Sequence, residues 1–561
     1  MKRLFYTLLF FLPCMLIACG GSDDTPDGDN NPPVVAPPSE EPVDSRLLYN
    51  GIRLPEQWPP VRSSSSELEK GMSPFYLSDK PSVINISVGR QLFVDNFLIE
   101  STNLKRTFYY PEYYSGNPIL TPEQDWEKTG TKGAAFAAPF SDGVWYDEKE
   151  GKYKMWYMAG GGSYATSGAG VTCYAESTDG IHWTKPILSV VAGTNIVDYN
   201  SERDASVVWL DKQESNASKR YKMFLVARES GKWRYHYKTS PDGKVWRAAV
   251  QSEPIADRST VYKNPFRNVW VDANKLVRAR DYNENADPEA GTKKAEALLS
   301  AFWFGPWANE QRHTDYPNIA PAIYNQDATP YESIMLGFFS VWQGPENDVC
   351  ASDNVIKRNQ VMVGYSRDGY SWFREDMNPF HAVNTTTSDA WNQGNLQSVA
   401  GAPLIVGDKL YFYLSGRRLR GTQEITTTGL ATLRRDGFAS MKGTGELQTP
   451  LLKFDGSYFF VNANVTGEMK VELLDSNNKV IEGFSKDECK AFKGDNVKAK
   501  IEWTGNASLA SLKNKQLKVK FYIDNGEIFA FWISPSANGE SMGYTAGGGP
   551  GLNISGIDKT N

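Results

Sequence analysis

Short runs of alternating apolar and polar residues dominate the chain and predict β-strands rather than helices. Residues 144–147 and 153–157 form one pair of such runs around a polar turn, reading Val-Trp-Tyr-Asp and Tyr-Lys-Met-Trp-Tyr. The pair returns at residues 208–211 and 221–224 as Val-Trp-Leu-Asp and Tyr-Lys-Met-Phe. Fainter copies begin at Val261, Ile334 and Leu404. The pattern therefore predicts a repeated two-strand unit in an all-β chain.

A turn motif follows the same repeat. Asp-Gly stands a few residues before a Trp in residues 177–183, 240–246 and 366–372, and a degenerate copy lies at 434–438. The four aspartates are 63, 126 and 68 residues apart, and the doubled middle interval indicates a unit that lacks the motif. A repeat of this length with several strands per unit is typical of a β-propeller, here with five blades. We interpret the turns themselves as scaffold.

The pattern changes near residue 446. Four strand-like runs follow at regular spacing, with an Asp-Asn-Gly turn at 524–526, which is typical of a β-sandwich. We predict an irregular N-terminal arm over 46–79, a five-bladed β-propeller over 80–445 and a C-terminal β-sandwich over 446–561. Residues 91–100 read as a strand that either closes the ring with the last blade or brings Asp95 to its centre.

The N-terminus resembles a bacterial lipoprotein signal. Lys2 and Arg3 precede an apolar run over residues 4–16 that ends at Cys19. The resemblance implies a signal peptide over 1–19 and a lipid on Cys19; an ordinary secretory signal is the alternative. Gly-Gly-Ser-Asp-Asp at 20–24 looks like the signal that sends some Bacteroidetes lipoproteins to the cell surface. We expect a disordered tether over 20–45 and a lipid anchor in the outer membrane or at the cell surface of a Gram-negative bacterium.

Composition excludes some partners. Charged residues make up 22% of the chain and the net charge is −6, with both signs scattered, so we expect no nucleic-acid partner. Only four histidines are present, and Cys173, Cys350 and Cys489 lie far apart, so no zinc-ligand spacing occurs. We expect a monomer without a cofactor or catalytic metal, although a propeller funnel could hold a structural calcium ion.

The layout resembles the five-bladed glycoside hydrolases of families 32, 43, 62, 68 and 117. Residues 456–532 look like the C-terminal sandwich of family 32, and Arg203-Asp204 is similar to its Arg-Asp-Pro motif, with Ala205 in place of Pro. The Trp-Met-Asn-Asp-Pro-Asn-Gly box and the Glu-Cys pair of that family are absent. The chain therefore resembles an outlying relative, which implies hydrolysis of a poly- or oligosaccharide. The resemblance also implies that Asp204 fixes the substrate and tunes the acid.

The first strands of propeller blades meet at a central funnel, so equivalent positions should converge there. Alignment on the Val-Trp pairs places Asp204 and Asp257 at one depth, each beside an arginine. Glycoside hydrolysis needs two carboxyl groups at one sugar ring. The same alignment maps this depth to Phe140 in the first blade, to Asn318 in the fourth and to Gln397 and Ser398 in the fifth.

These positions yield the candidate catalytic residues. Glu332 precedes a strong core strand, where an acid is unusual, and we predict it as the general acid. Asp257 is the predicted base, with Asp95 and Asp142 as the alternatives. Each carboxylate could instead form a structural salt bridge. The predicted substrate-binding residues are Arg203, Arg258, Trp303, Trp307, Asn318 and Gln397.

Three functions remain open at this stage. A set of acids around the funnel would favour a glycoside hydrolase. Aromatic residues without convergent acids would favour a glycan-binding surface lipoprotein without catalysis. A funnel filled by apolar side chains would favour a structural or protein-binding propeller.

Overall fold

The computed structural model describes residues 44–60, 72–128, 134–165, 170–277, 279–296, 302–387, 389–505 and 508–560. Strands make up 47% of it and helices are few, so the all-β prediction is confirmed. Cys19 and the predicted signal lie outside the described residues, as does the predicted tether up to residue 43. Among the residues that the structure describes, no helix is long and apolar enough to cross a membrane. The described residues include the short helices α1 (Phe75–Ser78), α2 (Asp125–Lys128), α3 (Pro288–Lys294) and α4 (Asn347–Asp353).

The N-terminal part contributes five short strands. They are β1 (Ile84–Asn85), β2 (Gln91–Leu92), β3 (Ser101–Thr102), β4 (Lys105–Phe108) and β5 (Glu112–Tyr113).

Residues 135–434 then form five consecutive strand groups. Group 1 holds β6 (Ala135–Ala138), β7 (Val144–Asp147), β8 (Lys152–Ala159) and β9 (Gly170–Ser177). Group 2 holds β10 (Ile196–Leu210), β11 (Tyr221–Glu229), β12 (Lys232–Ser240) and β13 (Arg247–Gln251). Group 3 holds β14 (Thr260–Asn264), β15 (Val269–Ala273), β16 (Lys275–Leu276), β17 (Ala279–Asp281), β18 (Asn283–Asn285) and β19 (Phe302–Phe304). Group 4 holds β20 (Ala322–Glu332), β21 (Ile334–Gly344) and β22 (Arg358–Ser366), and group 5 holds β23 (Asn395–Val399), β24 (Leu404–Val406), β25 (Lys409–Arg420) and β26 (Gln423–Arg434).

Successive strands pair antiparallel in groups 2 and 4, as hairpin-connected strands must. The first strands of groups 2 to 5 contact one another in order: β14 contacts both β10 and β20, and β20 contacts β23. The strand pairings of groups 1, 2, 4 and 5, together with β5 and β32, form a closed path. The first strands of the groups therefore surround a common axis.

The ring is closed by an early strand. β5 pairs antiparallel with β26, where Glu112 lies opposite Thr432, and Leu120 bridges Thr428 further along the same strand. β2, by contrast, pairs with a C-terminal strand, where Gln91 lies opposite Phe531. The prediction that residues 91–100 close the ring is therefore wrong, and β5 closes it instead.

The Asp-Gly turns join neighbouring groups. Gly180, Gly243 and Gly369 have φ of +76° to +77°, which glycine adopts at little cost. Each exposes a carbonyl to an aromatic donor of the preceding group in the ring: Tyr413 donates to Gly180, Trp156 to Gly243 and Tyr262 to Gly369, at 2.7–3.0 Å. The repeated motif thus forms a repeated contact between groups.

The remaining strands lie mainly in one sheet. It comprises β27 (Ala439–Gln448), β29 (Tyr458–Leu474), β30 (Phe492–Ile501) and β31 (Lys518–Ser534), together with β2, β3 and β4. The shorter β28 (Leu452–Lys453) pairs with β1, and the last strand is β32 (Tyr544–Thr545). The predicted boundary at residue 446 falls inside β27.

Residues 535–560, which we call the C-terminal tail, cross one end of the axis. Tyr146 N donates to Gly547 O and Ile405 N donates to Gly548 O, both at 2.9 Å. Thr545 pairs with Tyr331 at the end of β20. The tail therefore contacts groups 1, 4 and 5 where their first strands finish, and leaves the opposite end of β20 for the candidate site.

Candidate functional site

The first strands are interrupted at one common depth. The ladder shifts register between Arg203 and Ser206 in β10, between Ile323 and Asn325 in β20, and between Gln397 and Val399 in β23. In groups 1 and 3 a residue shortly before a regular strand adopts a left-handed backbone. Phe140, before β7, has φ of 44°, and Arg258, before β14, has φ of 56°. Bulges re-aim side chains and are frequent beside active sites. We call Phe140, Asp204, Arg258, Tyr324 and Ser398 the axial ring.

Arg258 connects three members of the axial ring. Its Nη2 lies 2.5 Å from Oδ1 of Asp204. Its guanidinium carbon lies 5.2 Å from the ring centroid of Phe140 and 6.0 Å from that of Tyr324. Burial lowers the pKa of Arg258, but Asp204, Tyr324 and Asp257 together outweigh burial and raise it, so the guanidinium stays charged.

Asp257 lies beside the ring and faces a second cation. Its Oδ1 is 2.8 Å from Nζ of Lys275, and one third of its side chain is exposed. Burial alone would raise its pKa, but Lys275 and then Arg258 outweigh burial and lower it. Asp257 is therefore an ionised, solvent-accessible carboxylate at neutral pH.

A cavity of ≈ 250 Å³ opens beside these residues. Its walls combine carboxylates, cations and aromatic rings, a mixture suited to a polar ring compound with an apolar face. The residues that line it are Asp257, Lys275, Val277, Ala322, Tyr324, Trp342, Pro345, Glu346, Asn347 and Lys357.

A buried polar network lies beneath the axial ring. Asn325 Nδ2 donates to Ser141 Oγ at 3.2 Å, to Ser398 Oγ at 3.1 Å and to Asp327 Oδ2 at 2.8 Å. Val399 N also donates to Asp327 Oδ2, at 3.2 Å. Burial raises the pKa of Asp327 to about 7, more than these hydrogen bonds lower it. The axis at this depth is polar, which does not fit the apolar filling expected of a purely structural propeller.

Three buried amides near the cavity have side-chain atoms without a hydrogen-bond partner. In the part of the chain that the structure describes, neither side-chain polar atom of Asn359 or Gln397 has a partner, nor does Oδ1 of Asn395. Asn359 lies opposite Trp342 in the ladder and bridges Asn395, which donates to Lys357 O at 2.8 Å. Buried polar groups without partners are costly, so their presence beside a cavity is typical of a binding site.

The structure brings several predicted residues together. Asp204, Asp257 and Arg258 meet at the axial ring, and Gln397 adjoins Ser398 in the bulge of β23. Arg203 lies just below, where its Nη2 contacts both carboxylate oxygens of Asp142 at 2.8 and 3.0 Å. Asp142 is completely buried in this pair, which makes it a support for Arg203. Catalytic roles for Asp204 and Asp257 remain predictions.

Glu332 does not join them. It ends β20, eight residues after Tyr324, which corresponds to about 26 Å along a strand. It is completely buried and accepts hydrogen bonds from Ser541 Oγ at 2.6 Å and Arg435 Nη2 at 3.0 Å. The prediction that Glu332 shares a pocket with Asp204 and Asp257 is therefore wrong. Its position before an apolar strand reflects an ion cluster that fastens the C-terminal tail.

Four other predicted residues also lie elsewhere. Trp303 is 1% exposed and donates to Tyr370 O at 3.0 Å, and Trp307 packs against Arg374, so both belong to the core rather than to a sugar subsite. Asn318 is exposed in a turn six residues before the axial-ring position of group 4. Asp95 forms a buried pair with Arg367 at 2.8 Å, far along the chain from the ring.

Sequence reasoning missed four residues of the site. Tyr324, Lys275, Lys357 and Asn359 carry no motif. An Asn inside a predicted strand is unfavourable there. The occurrence of Asn within a strand-like run was therefore the sequence signal that could have identified Asn359.

The described residues contain no group of three or more His, Cys, Asp or Glu side chains arranged to hold a metal ion. The structure thus offers no carboxylate cluster for the calcium ion considered from the sequence, within its described ranges.

No family model matches the chain, and no curated protein matches it. Among solved structures it is similar to a fructofuranosidase from Schwanniomyces occidentalis, at 10% identity over 76% of this chain and 97% of that one, with a TM-score of 0.36. It is similar to a glycosyl hydrolase from Bacteroides ovatus, at 12% identity over 58% and 94% of the two chains, with a TM-score of 0.36. An N-acetylgalactosamine deacetylase from F. plautii matches at 10% identity over 57% and 97%, also with a TM-score of 0.36. The similar structures thus include glycoside hydrolases at low identity, and the function is argued below from the site itself.

Proposed function

We propose that the chain is a glycoside hydrolase built on a five-bladed β-propeller, with a C-terminal β-sandwich packed against it. The five strand groups are the blades, and β5 completes the last one. The closed strand path and the common bulge depth support this arrangement. Its substrate is a poly- or oligosaccharide bound at the cavity beside the axial ring.

One observation carries the proposal. Asp204 and Asp257, from neighbouring blades, flank the same arginine next to a cavity with two aromatic walls. Sugar rings pack their apolar faces on aromatic side chains, while carboxylates serve the anomeric carbon and the hydroxyls. Asp257 acts as base or nucleophile because it is ionised and accessible. Asp204 binds hydroxyls while Arg258 holds it in place.

The proton donor must be a group other than Glu332. A general acid needs a proton near neutral pH. Asp327 meets this condition, with its pKa raised to about 7. The phenol of Tyr324 is the second candidate, because it carries a transferable proton at the axial ring. Asp327→Asn and Tyr324→Phe distinguish them, because only the variant that removes the acid abolishes hydrolysis of substrates with poor leaving groups.

The central experiment is a hydrolysis screen of the full chain on a panel of oligosaccharides. Asp257→Asn and Asp204→Asn should each lower the rate by about 10²-fold or more. Asp198→Asn is the matched control, since Asp198 lies on the same strand as Asp204 and pairs with Lys238, away from the cavity. Rates within about tenfold of wild type for both site variants would contradict the proposal.

One observation favours a second function, glycan binding without hydrolysis. The two carboxylates of the proposed catalytic pair, Asp204 and Asp257, are already paired with cations. Such a protein would bind oligosaccharides in the same cavity and release no reducing ends.

We also propose that a lipid on Cys19 anchors the protein to the outer membrane or cell surface. The signal-like N-terminus supports this, with its apolar run ending at cysteine. Cys19→Ala should release the protein from the membrane fraction, and a variant that stays bound would contradict the proposal.

A further inference from the structure

Three cations from separate elements surround the phenol of Tyr324. Lys275 Nζ lies 4.7 Å from its ring centroid, Lys357 Nζ 5.4 Å and the Arg258 guanidinium carbon 6.0 Å. Lys275 comes from β16, Lys357 from the segment between α4 and β22, and Arg258 from the axial ring. Two of the three, Lys275 and Lys357, line the cavity directly.

The pairing of these cations is uneven. Asp204 neutralises Arg258 and Asp257 neutralises Lys275. Lys357 Nζ donates to Asn347 Oδ1 at 3.2 Å, and no described carboxylate lies within ion-pair distance of it. Glu346 is the remaining carboxylate of the lining and lies at its exposed rim. Lys357 is therefore the cavity's cation that lacks an ion-pair partner among the described residues.

The pKa of the Tyr324 phenol indicates the sign of the electrostatic potential at this point of the cavity. Burial raises the pKa of a phenol, yet Lys357, Arg258 and Lys275 together outweigh burial and lower the pKa of Tyr324. An environment that stabilises a buried phenolate also stabilises other anions placed at the same point.

We propose that the cavity beside Tyr324 accepts a sugar residue with a negatively charged substituent, a carboxylate or a sulfate ester, held between Lys357 and Lys275. This inference rests on the proposed function, since it names the substrate class of the same site. A neutral sugar would cover Lys357 without replacing its water, whereas an anion forms a charge-assisted hydrogen bond with it. Trp342 offers the apolar wall, and the unpartnered side-chain amide of Asn359 lies opposite Trp342 in the ladder for a hydroxyl group.

The test uses two matched pairs of probes with the full chain. One pair is an oligogalacturonide and its carboxyl-reduced form; the other is a sulfated galactan oligosaccharide and its desulfated form. Calorimetric titration should show that the charged member of at least one pair binds about tenfold tighter than its neutral form, which corresponds to ~1.4 kcal/mol. The pair that shows the difference identifies carboxylate or sulfate.

Lys357→Gln should remove that difference, because it removes the cation that would meet the anionic substituent. Lys470→Gln, a partly exposed lysine in the C-terminal sheet, is the control and should keep it. Raising NaCl from about 0.05 M to about 0.5 M should weaken only the charged probes. Equal binding within both pairs, no binding of either charged probe, or an unchanged preference in Lys357→Gln overturns the inference.

Hydrolysis measured on the same probes separates this inference from the proposed function. Equal cleavage of the charged and neutral probes would overturn this inference but not the proposed glycoside hydrolase activity. Tight binding of a charged probe without cleavage keeps the inference and overturns hydrolysis.

Discussion

Arg258 and Asp204, from the first strands of neighbouring groups, form an ion pair of 2.5 Å at the point where both backbones leave regular strand geometry. The left-handed φ of Arg258 and the bulge before Ser206 turn these side chains toward each other. Both are largely buried, with 9% and 17% of their side chains exposed. The pair therefore couples the geometry of the site to the stability of the ring.

Arg258→Met should lower the free energy of unfolding by about 3 kcal/mol, because it leaves the carboxylate of Asp204 without its partner in a largely buried site. Urea denaturation measures this. Arg418→Met is the control: its partner Asp389 is 66% exposed, so the loss should stay below about 1 kcal/mol. Equal losses in the two variants would show that the Arg258 pair is no more than a surface contact.

Glu332→Gln should affect stability rather than catalysis. The change removes one charge from a buried cluster with Arg90 and Arg435, which costs about 3–5 kcal/mol. Hydrolysis per folded molecule should stay within about tenfold of wild type, since Glu332 lies at the far end of β20. A loss of hydrolysis beyond that in a protein with normal denaturation behaviour would restore Glu332 as the acid.

Asp327 should make stability fall as pH rises. Its folded pKa of about 7 is above the unfolded value of 3.8, so its contribution is complete below pH 4 and is lost as pH rises to 7. At 1.36 kcal/mol per pKa unit the loss is at most about 4 kcal/mol. Asp327→Asn should flatten the curve of unfolding free energy against pH over this window. Exposed Asp389→Asn should leave its slope unchanged, and a wild-type slope in Asp327→Asn would refute the assignment.

Gly549→Ala should destabilise the contact between the C-terminal tail and group 5. A Cβ at this position would overlap the carbonyl oxygen of Ile405, so backbone must move. Overpacking of this kind costs about 1–3 kcal/mol. Gly551→Ala meets no atom within 4 Å and carries only the strain of its φ of +82°. Thermal unfolding should therefore show the larger decrease for Gly549→Ala, and the reverse order would mean that the tail is loosely held.

Trp342→Ala and Trp303→Ala should separate a cavity wall from a core residue. Trp303→Ala should cost about 3–5 kcal/mol of stability, as large core truncations do. Trp342→Ala should raise KM by about tenfold or more through lost contact with the sugar. An unchanged KM in the Trp342 variant would place the sugar elsewhere in the cavity.

Repeat length and turn chemistry were readable from the sequence because both are local. The Asp-Gly motif reports a turn within seven residues, and its recurrence gave the repeat. The common depth of Asp204, Phe140 and Ser398 along the ring axis followed from aligning the repeated units and counting along the first strand of each. The count failed in group 4, where it gave Asn318 instead of Tyr324, because β20 contains no Val-Trp pair on which to align it.

Glu332 shows the limit of such reasoning. An acidic residue before an apolar strand is unusual, and the sequence correctly identified Glu332 as such a residue. Its partners, Arg90, Arg435 and Ser541, are more than 100 residues away along the chain in every case. Whether a buried acid meets a sugar or a set of arginines is decided by tertiary contacts that no local pattern contains.

The pairing of β5 with β26 has a consequence for biosynthesis. The ring cannot close until Thr432, which pairs with Glu112 and lies about 320 residues later, has been synthesised. At roughly 5–20 residues per second the ribosome needs about 16–64 s to supply that partner. Throughout this interval β5 and the edge strands of the unfinished ring have open hydrogen-bonding groups that a neighbouring nascent chain can occupy. Protection of these edges by chaperones, rather than the speed of any single blade, would then set the yield of folded protein.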